Sequence, residues 1–336
     1  MAEFCIGIDL GGTFIKFGLL DDSNQRRGIF QLPTPAADGA HAVVEQMVVG
    51  VKKLLANEKI ASREVTGIGI GAPGPLSISQ GVIHAMPNIP GMDGCPIRDR
   101  VAAGTSLPAV LENDANAAAL GEALCGAGRD VESMILLTLG TGLGSGIILN
   151  GRILHGDNEI GGEMGHLIVE PGGELCGCGQ RGCLERYCSA RFLAEHARRQ
   201  IAKEKSDGPL AAVLAEKGRI DARDVNEARK AGDELAQRVW QRAARFLAIG
   251  CVNLCRLFDP SRIVLGGGLT RAGEDLLDPV REHFADLHWS LTARMTKIVL
   301  AEMGNDAGVI GAAAAAWQAF DPTRSAGKSS RESTTA

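Results

Sequence analysis

The most constraining feature of this chain is a pattern that occurs twice. Phe4 to Ile8 is a short apolar run that ends at Asp9 and the turn Gly11-Gly12-Thr13; a second apolar run, Phe14 to Leu20, stops at Asp21-Asp22. Two such runs about a glycine turn predict a β-hairpin. The same order returns after Gly126-Ala127-Gly128: Ser133 to Leu139, Gly140-Thr141-Gly142, Gly144 to Leu149, then a turn at Asn150-Gly151. Two halves that open alike predict two related lobes, each with a phosphate-sized Gly/Thr loop and a nucleotide held between them. Strand–turn–strand units also recur in unrelated α/β proteins, so the repeat alone leaves coincidence open. The expected boundary lies near residue 128, with residues 1–128 as the small lobe, 129–305 as the large one, and a helix over 306–318 returning to the first.

The segments between these hairpins fit an α/β chain. Residues 41 to 56 place Val44, Met47, Val48, Val51, Leu54 and Leu55 on one broad helical face. Val65 to Ile70 is a strand candidate that ends in Gly71-Ala72-Pro73-Gly74-Pro75. Ala109 to Leu111 reads as a buried strand feeding Glu112-Asn113-Asp114, and Ala115 to Leu124 as a helix. Further on, one long helical stretch is expected from Asp224 to Phe258, then a strand Arg262 to Leu265 that runs into Gly266-Gly267-Gly268. Met303 to Trp317 ends in an alanine-rich helix suited to packing on glycine-lined strands. Over 321–336 apolar residues vanish, which predicts a disordered tail.

Composition narrows the function. With 336 residues the chain can bury a sizeable core in two domains. A net charge of -5 gives no basic surface for nucleic acid. No stretch approaches the roughly 20 apolar residues that span a bilayer, and the first strand begins too early for a cleavable signal, so no membrane partner and a cytoplasmic location are expected. Nine cysteines, an odd number, argue against a fully paired disulfide scaffold and fit a reducing compartment.

Several residue sets can carry chemistry. In Asp9-Leu10-Gly11-Gly12-Thr13, the glycines let backbone N–H groups approach phosphate oxygens, Thr13 adds a hydroxyl, and Asp9 can hold Mg²⁺ through water. A tight hairpin with an exposed aspartate is the plainer reading. Thr138-Leu139-Gly140-Thr141-Gly142 and Gly266-Gly267-Gly268 are two further candidate nucleotide loops. Asp114, beside Asn113, is a candidate base for deprotonating a hydroxyl that attacks a γ-phosphate. Spacing alone favours a helix cap for it, and both roles can coexist. His166, Cys176, Cys178 and Cys183 make a closed four-ligand set of the kind that holds a structural Zn²⁺, with Cys188 a rival ligand. Gly172, Gly173, Gly177, Gly179 and Gly182 would let the chain wrap an ion, whereas Cys5, Cys95, Cys125, Cys251 and Cys255 read as small core hydrophobes. Glu163 and Glu185 flank the zinc candidates and suit a polyol, although such glutamates are more often solvated.

Taken in order, these residues resemble the ROK family of sugar kinases and sugar-responsive repressors. The resemblance runs from about residue 4 to 316 and is carried by Asp9 to Thr13 with Lys16, Glu112 to Ala118, Gly162-Glu163-Met164-Gly165-His166, and Cys176 to Glu185. It implies an actin-like ATPase fold with ribonuclease H-like duplicated lobes, sugar and ATP meeting in an interdomain cleft that closes to expel water. It also implies Asp114 as catalytic base, with Asn113, Glu163, His166 and Glu185 bonding sugar hydroxyls. Asp9, Gly11, Gly12, Thr13, Thr138, Gly140, Thr141, Gly142 and Gly266, Gly267, Gly268 would serve ATP and its Mg²⁺. Pro87-Asn88-Ile89-Pro90-Gly91 looks like the family's sugar-side loop, with Met92 where a tryptophan often follows. The segment Ala301 to Gly311 resembles the glucokinase branch, so phosphorylation of glucose leads, with N-acetylmannosamine, N-acetylglucosamine and fructose as alternatives. Dimers or higher homo-oligomers are usual among relatives. The rival of another class, a sugar-sensing regulator, would carry a DNA-binding segment ahead of the first strand, where three residues stand here.

Overall fold

The computed structural model describes residues 4–289 and 296–321. The expected tail therefore lies, beyond Asp321, outside the described residues. Strands β1 (Phe4–Leu10), β2 (Phe14–Asp21) and β3 (Arg26–Pro33) form an antiparallel meander, followed by helix α1 (Gly39–Glu58). Next come β4 (Val65–Ala72), the small hairpin of β5 (Leu76–Ser77) and β6 (Val82–Ile83), α2 (Ile97–Thr105), β7 (Ala109–Asn113) and α3 (Asp114–Cys125). The first sheet has the order β3-β2-β1-β4-β7, with β4 parallel to both neighbours.

The chain then repeats the scheme. Strands β8 (Met134–Leu139), β9 (Leu143–Leu149) and β10 (Arg152–Ile153) are followed by α4 (Glu185–Cys188), α5 (Ala190–Glu204), α6 (Pro209–Lys217), α7 (Ala222–Lys230) and α8 (Glu234–Phe258). After these come β11 (Arg262–Gly266), α9 (Glu274–Leu287), β12 (Lys297–Leu300) and α10 (Ala307–Phe320). The second sheet, β10-β9-β8-β11-β12, matches the first position for position once the small β5–β6 hairpin is set aside: third, second, first, fourth and fifth of the sheet's own strands. The repeat read in the sequence is thus a repeat in topology, as expected of ribonuclease H-like lobes.

Two compact units result. One holds the residues up to Met134, Gly146–Gly161 and those from Glu302 on; the other holds Ile135–Ser145 and Gly162–Ala301. A boundary at residue 128 had put Gly146–Gly161 with the later half, whereas it packs with the first unit, as α10 does.

The first unit shows how side-chain alternation sets its layers. Gly67-Ile68-Gly69-Ile70-Gly71 in β4 sends isoleucines to one face and bare backbone to the other. Ile68 and Ile70 join Ile6, Ile8, Phe17 and Met47 in a fully buried core against α1. On the glycine face α10 comes down to backbone contact: a Cβ on Gly69 would lie 1.7 Å from the Ala312 carbonyl oxygen, and one on Gly7 1.7 Å from that of Val309. The second unit is built on α8, whose Trp240 is buried and donates its indole N–H to the Asp275 carbonyl at 2.8 Å. The single helix expected over Asp224 to Phe258 is two. Gly232, at φ 88°, breaks it, and Asp233 caps α8 by accepting from Ala236 N at 2.9 Å. Among the described residues no helix is long and apolar enough to cross a membrane.

Candidate active site

In the first unit the chemistry gathers at the carboxyl edge of the parallel strands. The register runs Asp9↔Gly71 and Gly71↔Glu112, so Asp9 and Glu112 share one row across β4, with Asn113 and Asp114 just beyond. This is where ligands bind in parallel sheets. The β1–β2 turn closes through Gly11 N to the Phe14 carbonyl at 3.0 Å, which leaves the Gly12 and Thr13 N–H groups outside that bond. Thr34 braces the turn, its hydroxyl donating to the Gly11 carbonyl at 2.7 Å. Asp9 faces the start of α10, where a Cβ on Gly308 would lie 3.0 Å from its carboxylate. Burial raises the Asp9 pKa and Lys16, 3.9 Å away, opposes that rise. Lys16 also donates to the Asn305 carbonyl, which holds its ammonium beside the turn.

At the β7–α3 corner the cap is Asn113, not Asp114. The Asn113 side-chain oxygen accepts from Ala115 N at 2.9 Å and Asn116 N at 3.3 Å, which leaves its NH₂ group to donate elsewhere. Asp114 takes the first helical position, where it accepts from Ala115 N at 2.8 Å. Behind the corner lies a pairing that the sequence reading missed. Glu112 is buried and accepts from Asn113 N and from Asn116 Nδ2, both at 2.9 Å, and its other oxygen sits 2.8 Å from His155 Nε2. The hydrogen bond that His155 makes to the Glu112 carboxylate raises the His155 pKa despite partial burial. His155 stands in a strap tied down again at Glu159, whose carboxylate accepts from Ser77 Oγ, Ile78 N and Ser79 N at 2.8 to 3.0 Å. Nothing in spacing signals a contact between residues 112 and 155; it depends on how the strap folds back.

The second unit carries the other candidates. Gly140 N bonds the Gly142 carbonyl at 3.0 Å, which makes Gly140-Thr141-Gly142 a tight turn between β8 and β9. Gly267, at φ 86°, packs its backbone on Leu139: a Cβ there would meet the Leu139 carbonyl oxygen at 2.6 Å. The two glycine loops therefore lie side by side. Beyond Gly268 a cavity of about 610 Å³ opens, lined by Leu269, Arg271, Asn226, Lys230 and Trp240 among others. Glu163 leads the 3₁₀ turn Met164–His166 and is exposed. That turn is fixed by buried Ser145, whose hydroxyl donates to the Gly162 carbonyl and accepts from Met164 N. Ser145 is a second residue the sequence reading missed.

His166, Cys176, Cys178 and Cys183 converge, with all ligand atoms within 4.8 Å of one another. A tetrahedral zinc site demands about 3.8 Å between two sulfurs and about 3.6 Å between sulfur and nitrogen. Here Cys178 and Cys183 sulfurs are 3.6 Å apart, and Cys176 sulfur lies 3.7 Å from His166 Nδ1, so the donor set fits. Gln180, through its backbone and then its side chain, lowers the Cys178 pKa to about 6, whereas burial raises that of Cys183 to about 12. Cys188 is no rival ligand: it is buried in α4 and its thiol donates to the Leu184 carbonyl at 3.3 Å. Of the cysteines expected in the core, Cys125 departs, being half-exposed with its thiol on the Asn24 carbonyl. Met92, by contrast, is fully buried in the first unit's core.

Glu185 joins these features. One oxygen accepts from Leu143 N at 3.0 Å, the other lies 3.8 Å from the Cys176 sulfur, and a Cβ on Gly142 would strike the carboxylate at 2.4 Å. The sugar-type carboxylate, the Gly/Thr turn and the metal-type cluster are therefore one connected piece.

Known proteins are similar to this chain over most of its length. Residues 5–319 match the ROK family. A glucokinase of Halalkalibacterium halodurans is 38% identical over 307 residues, covering 91% of this chain and 92% of that one. Among solved structures, a ROK hexokinase from Thermus thermophilus superposes with a TM-score of 0.81 at 35% identity, over 95% of this chain and 99% of the other. A ROK family glucokinase from Streptomyces griseus, in complex with glucose and AMPPNP, gives 0.73 at 36% identity, over 94% and 99%. The chain has the actin-like ATPase fold of these kinases and belongs to the ROK family.

Proposed function

We propose that this protein is an ATP-dependent glucokinase, which transfers the γ-phosphate of ATP to the 6-hydroxyl of glucose. The observation that carries the reading is the position of Glu185, whose carboxylate is held at once by the end of a Gly/Thr turn and by the Cys/His cluster. A group suited to a sugar hydroxyl is thus built in one piece with a loop suited to a phosphate.

In this reading Asp114 accepts the proton of the attacking hydroxyl, and Asn113 donates its free NH₂ group to the sugar. Glu163 and Glu185 accept from other sugar hydroxyls, and His166 faces the sugar with the ring nitrogen opposite Nδ1. The N–H groups of Gly12, Thr13 and Thr141 donate to phosphate oxygens, and the cavity beyond Gly268 is large enough for a nucleoside. Asp9 would hold Mg²⁺ through water, where the metal neutralises charge on the transferring phosphoryl group. His166, Cys176, Cys178 and Cys183 would hold one structural Zn²⁺, which cross-links the loop that carries Glu185. A cytoplasmic setting is in keeping with the odd number of cysteines, which argues against a fully paired disulfide scaffold.

The test is an ADP-release assay with Mg-ATP against glucose, fructose, mannose, N-acetylglucosamine and N-acetylmannosamine. Preference for glucose is expected. Preference for an N-acetyl sugar would keep the mechanism and replace the substrate, and no turnover with any sugar would overturn the kinase reading.

A further inference from the structure

The second unit holds another cavity, of about 530 Å³, apart from every residue assigned above. Arg242, Arg245 and Gln241 of α8 line it, together with Phe246, His283 of α9 and Glu170. Arg242 is half-buried, with its guanidinium 4.9 Å from the Tyr187 ring centroid and 5.0 Å from that of Phe246. Those two rings stack on each other at 4.1 Å, and Tyr187 is pinned by a hydrogen bond from Glu174 N at 2.9 Å. The guanidinium plane is thereby fixed before any ligand arrives.

What Arg242 and Arg245 lack is an acceptor. Among the described residues neither makes a hydrogen bond or ion pair with an acid or a carbonyl. Of the nearby acids, Glu174 pairs with Arg199 at 2.8 Å and Glu195 with Arg186 at 3.5 Å, whereas Glu170 lines the cavity and, like Glu174, acts on Arg242 through its charge without a hydrogen bond. The surplus of positive charge is felt locally. Burial, then Arg242 and Arg199, push the neighbouring His196 down to about 4. Gln241 gives its side-chain oxygen to His283 at 2.9 Å, which leaves its NH₂ group as a further donor. A part-buried, oriented guanidinium with no hydrogen-bond acceptor among the described residues, and a second one turn along the helix, can receive an anion.

We propose that this cavity binds phosphate, as the free ion or as a small phosphate ester, with Arg242 and Arg245 as its ligands. The guanidinium forks match phosphate oxygens, the Gln241 amide supplies another donor, and Phe246 with Ile249 offers an apolar wall for an ester's organic part. Glu170 accepts from a hydroxyl of such an ester. The site is distinct from the proposed nucleotide loops and does not depend on the kinase assignment.

The chain has a single tyrosine, Tyr187, which makes a local probe. Full-length zinc-loaded protein labelled with 3-fluorotyrosine should give one ¹⁹F resonance, to be titrated with inorganic phosphate, with phenyl phosphate, and with sodium chloride at matched ionic strength. We expect a saturable shift with the phosphates and none with chloride. The variants R242Q and R245Q should each need about tenfold more ligand or worse. Arg245 is exposed, so its replacement leaves the fold intact. Tighter binding of phenyl phosphate would assign the site to esters, and equal binding to the free ion. A resonance that does not move, or that moves identically in R245Q, would overturn the proposal. So would a change in oligomeric state by light scattering in these variants without loss of a phosphate response, since the arginines would then serve a contact between copies of the chain.

Discussion

Asn113 and Asp114 are neighbours with separate tasks. Asn113 spends its side-chain oxygen on the helix cap, whereas Asp114 stands at the first helical position and accepts from Ala115 N. Asp114→Asn should therefore lower kcat by about 10²- to 10⁴-fold with little change in glucose affinity; near-normal turnover in that variant would sink the assignment. The Glu112–His155 pair behind the corner carries a second prediction, on stability. The folded-state pKa of His155 lies above its ordinary 6.5, so the pair's contribution is complete below pH 6.5 and is lost as pH rises through the folded value. His155→Gln should flatten the fall in melting temperature above pH 6.5, and an unchanged slope would show that the pair is not the source. The four metal-type residues were legible because their spacing is itself the signal. Glu112, His155 and Ser145 were not, because each acts through a contact set by chain path rather than by sequence distance.

At the scale of elements, β4 and α10 show what glycine alternation encodes. A Cβ on Gly311 would lie 1.5 Å from the Ala117 carbonyl oxygen, and one on Gly121 2.2 Å from that of Ala307. Both partners are backbone and cannot yield. Gly311→Ala should cost about 3 kcal/mol or more, measured by denaturant unfolding, and a loss well under 1 kcal/mol would mean that α10 can slide. Glycine-lined strands and an alanine-rich helix were readable as partners, since each is meaningless without the other. The division of α7 from α8 was not, because helical periodicity continues on both sides of Gly232 and only the side-chain cap from Asp233 fixes the break. The cysteine loop is likewise an element in its own right. Chelation should release one Zn²⁺ per chain, quantified with a colorimetric metal indicator, and should raise KM for glucose well before KM for ATP. Full sugar affinity after metal release would separate the cluster from the Glu185 it touches.

Over the whole molecule, a duplicated strand order explains why a weak repeat in sequence could point to the fold. Turn chemistry at residues 11–13 and 140–142 survives divergence, while the apolar strand residues between are interchangeable. The return of the chain to its first unit also has a biosynthetic consequence. The glycine face of the first sheet emerges from the ribosome early, but the helix that covers it is among the last described parts of the chain to be made. The second unit, contiguous from Gly162 to Ala301 apart from one earlier strand segment, can be complete by then. Released chains truncated before Ala307 should accordingly show a protease-resistant second unit and a protease-sensitive first one, with protection of both appearing only in chains that include α10. During that interval the cell holds a half-finished sheet whose open groove is shaped for a helix not yet translated, which is the state a nascent-chain chaperone would meet.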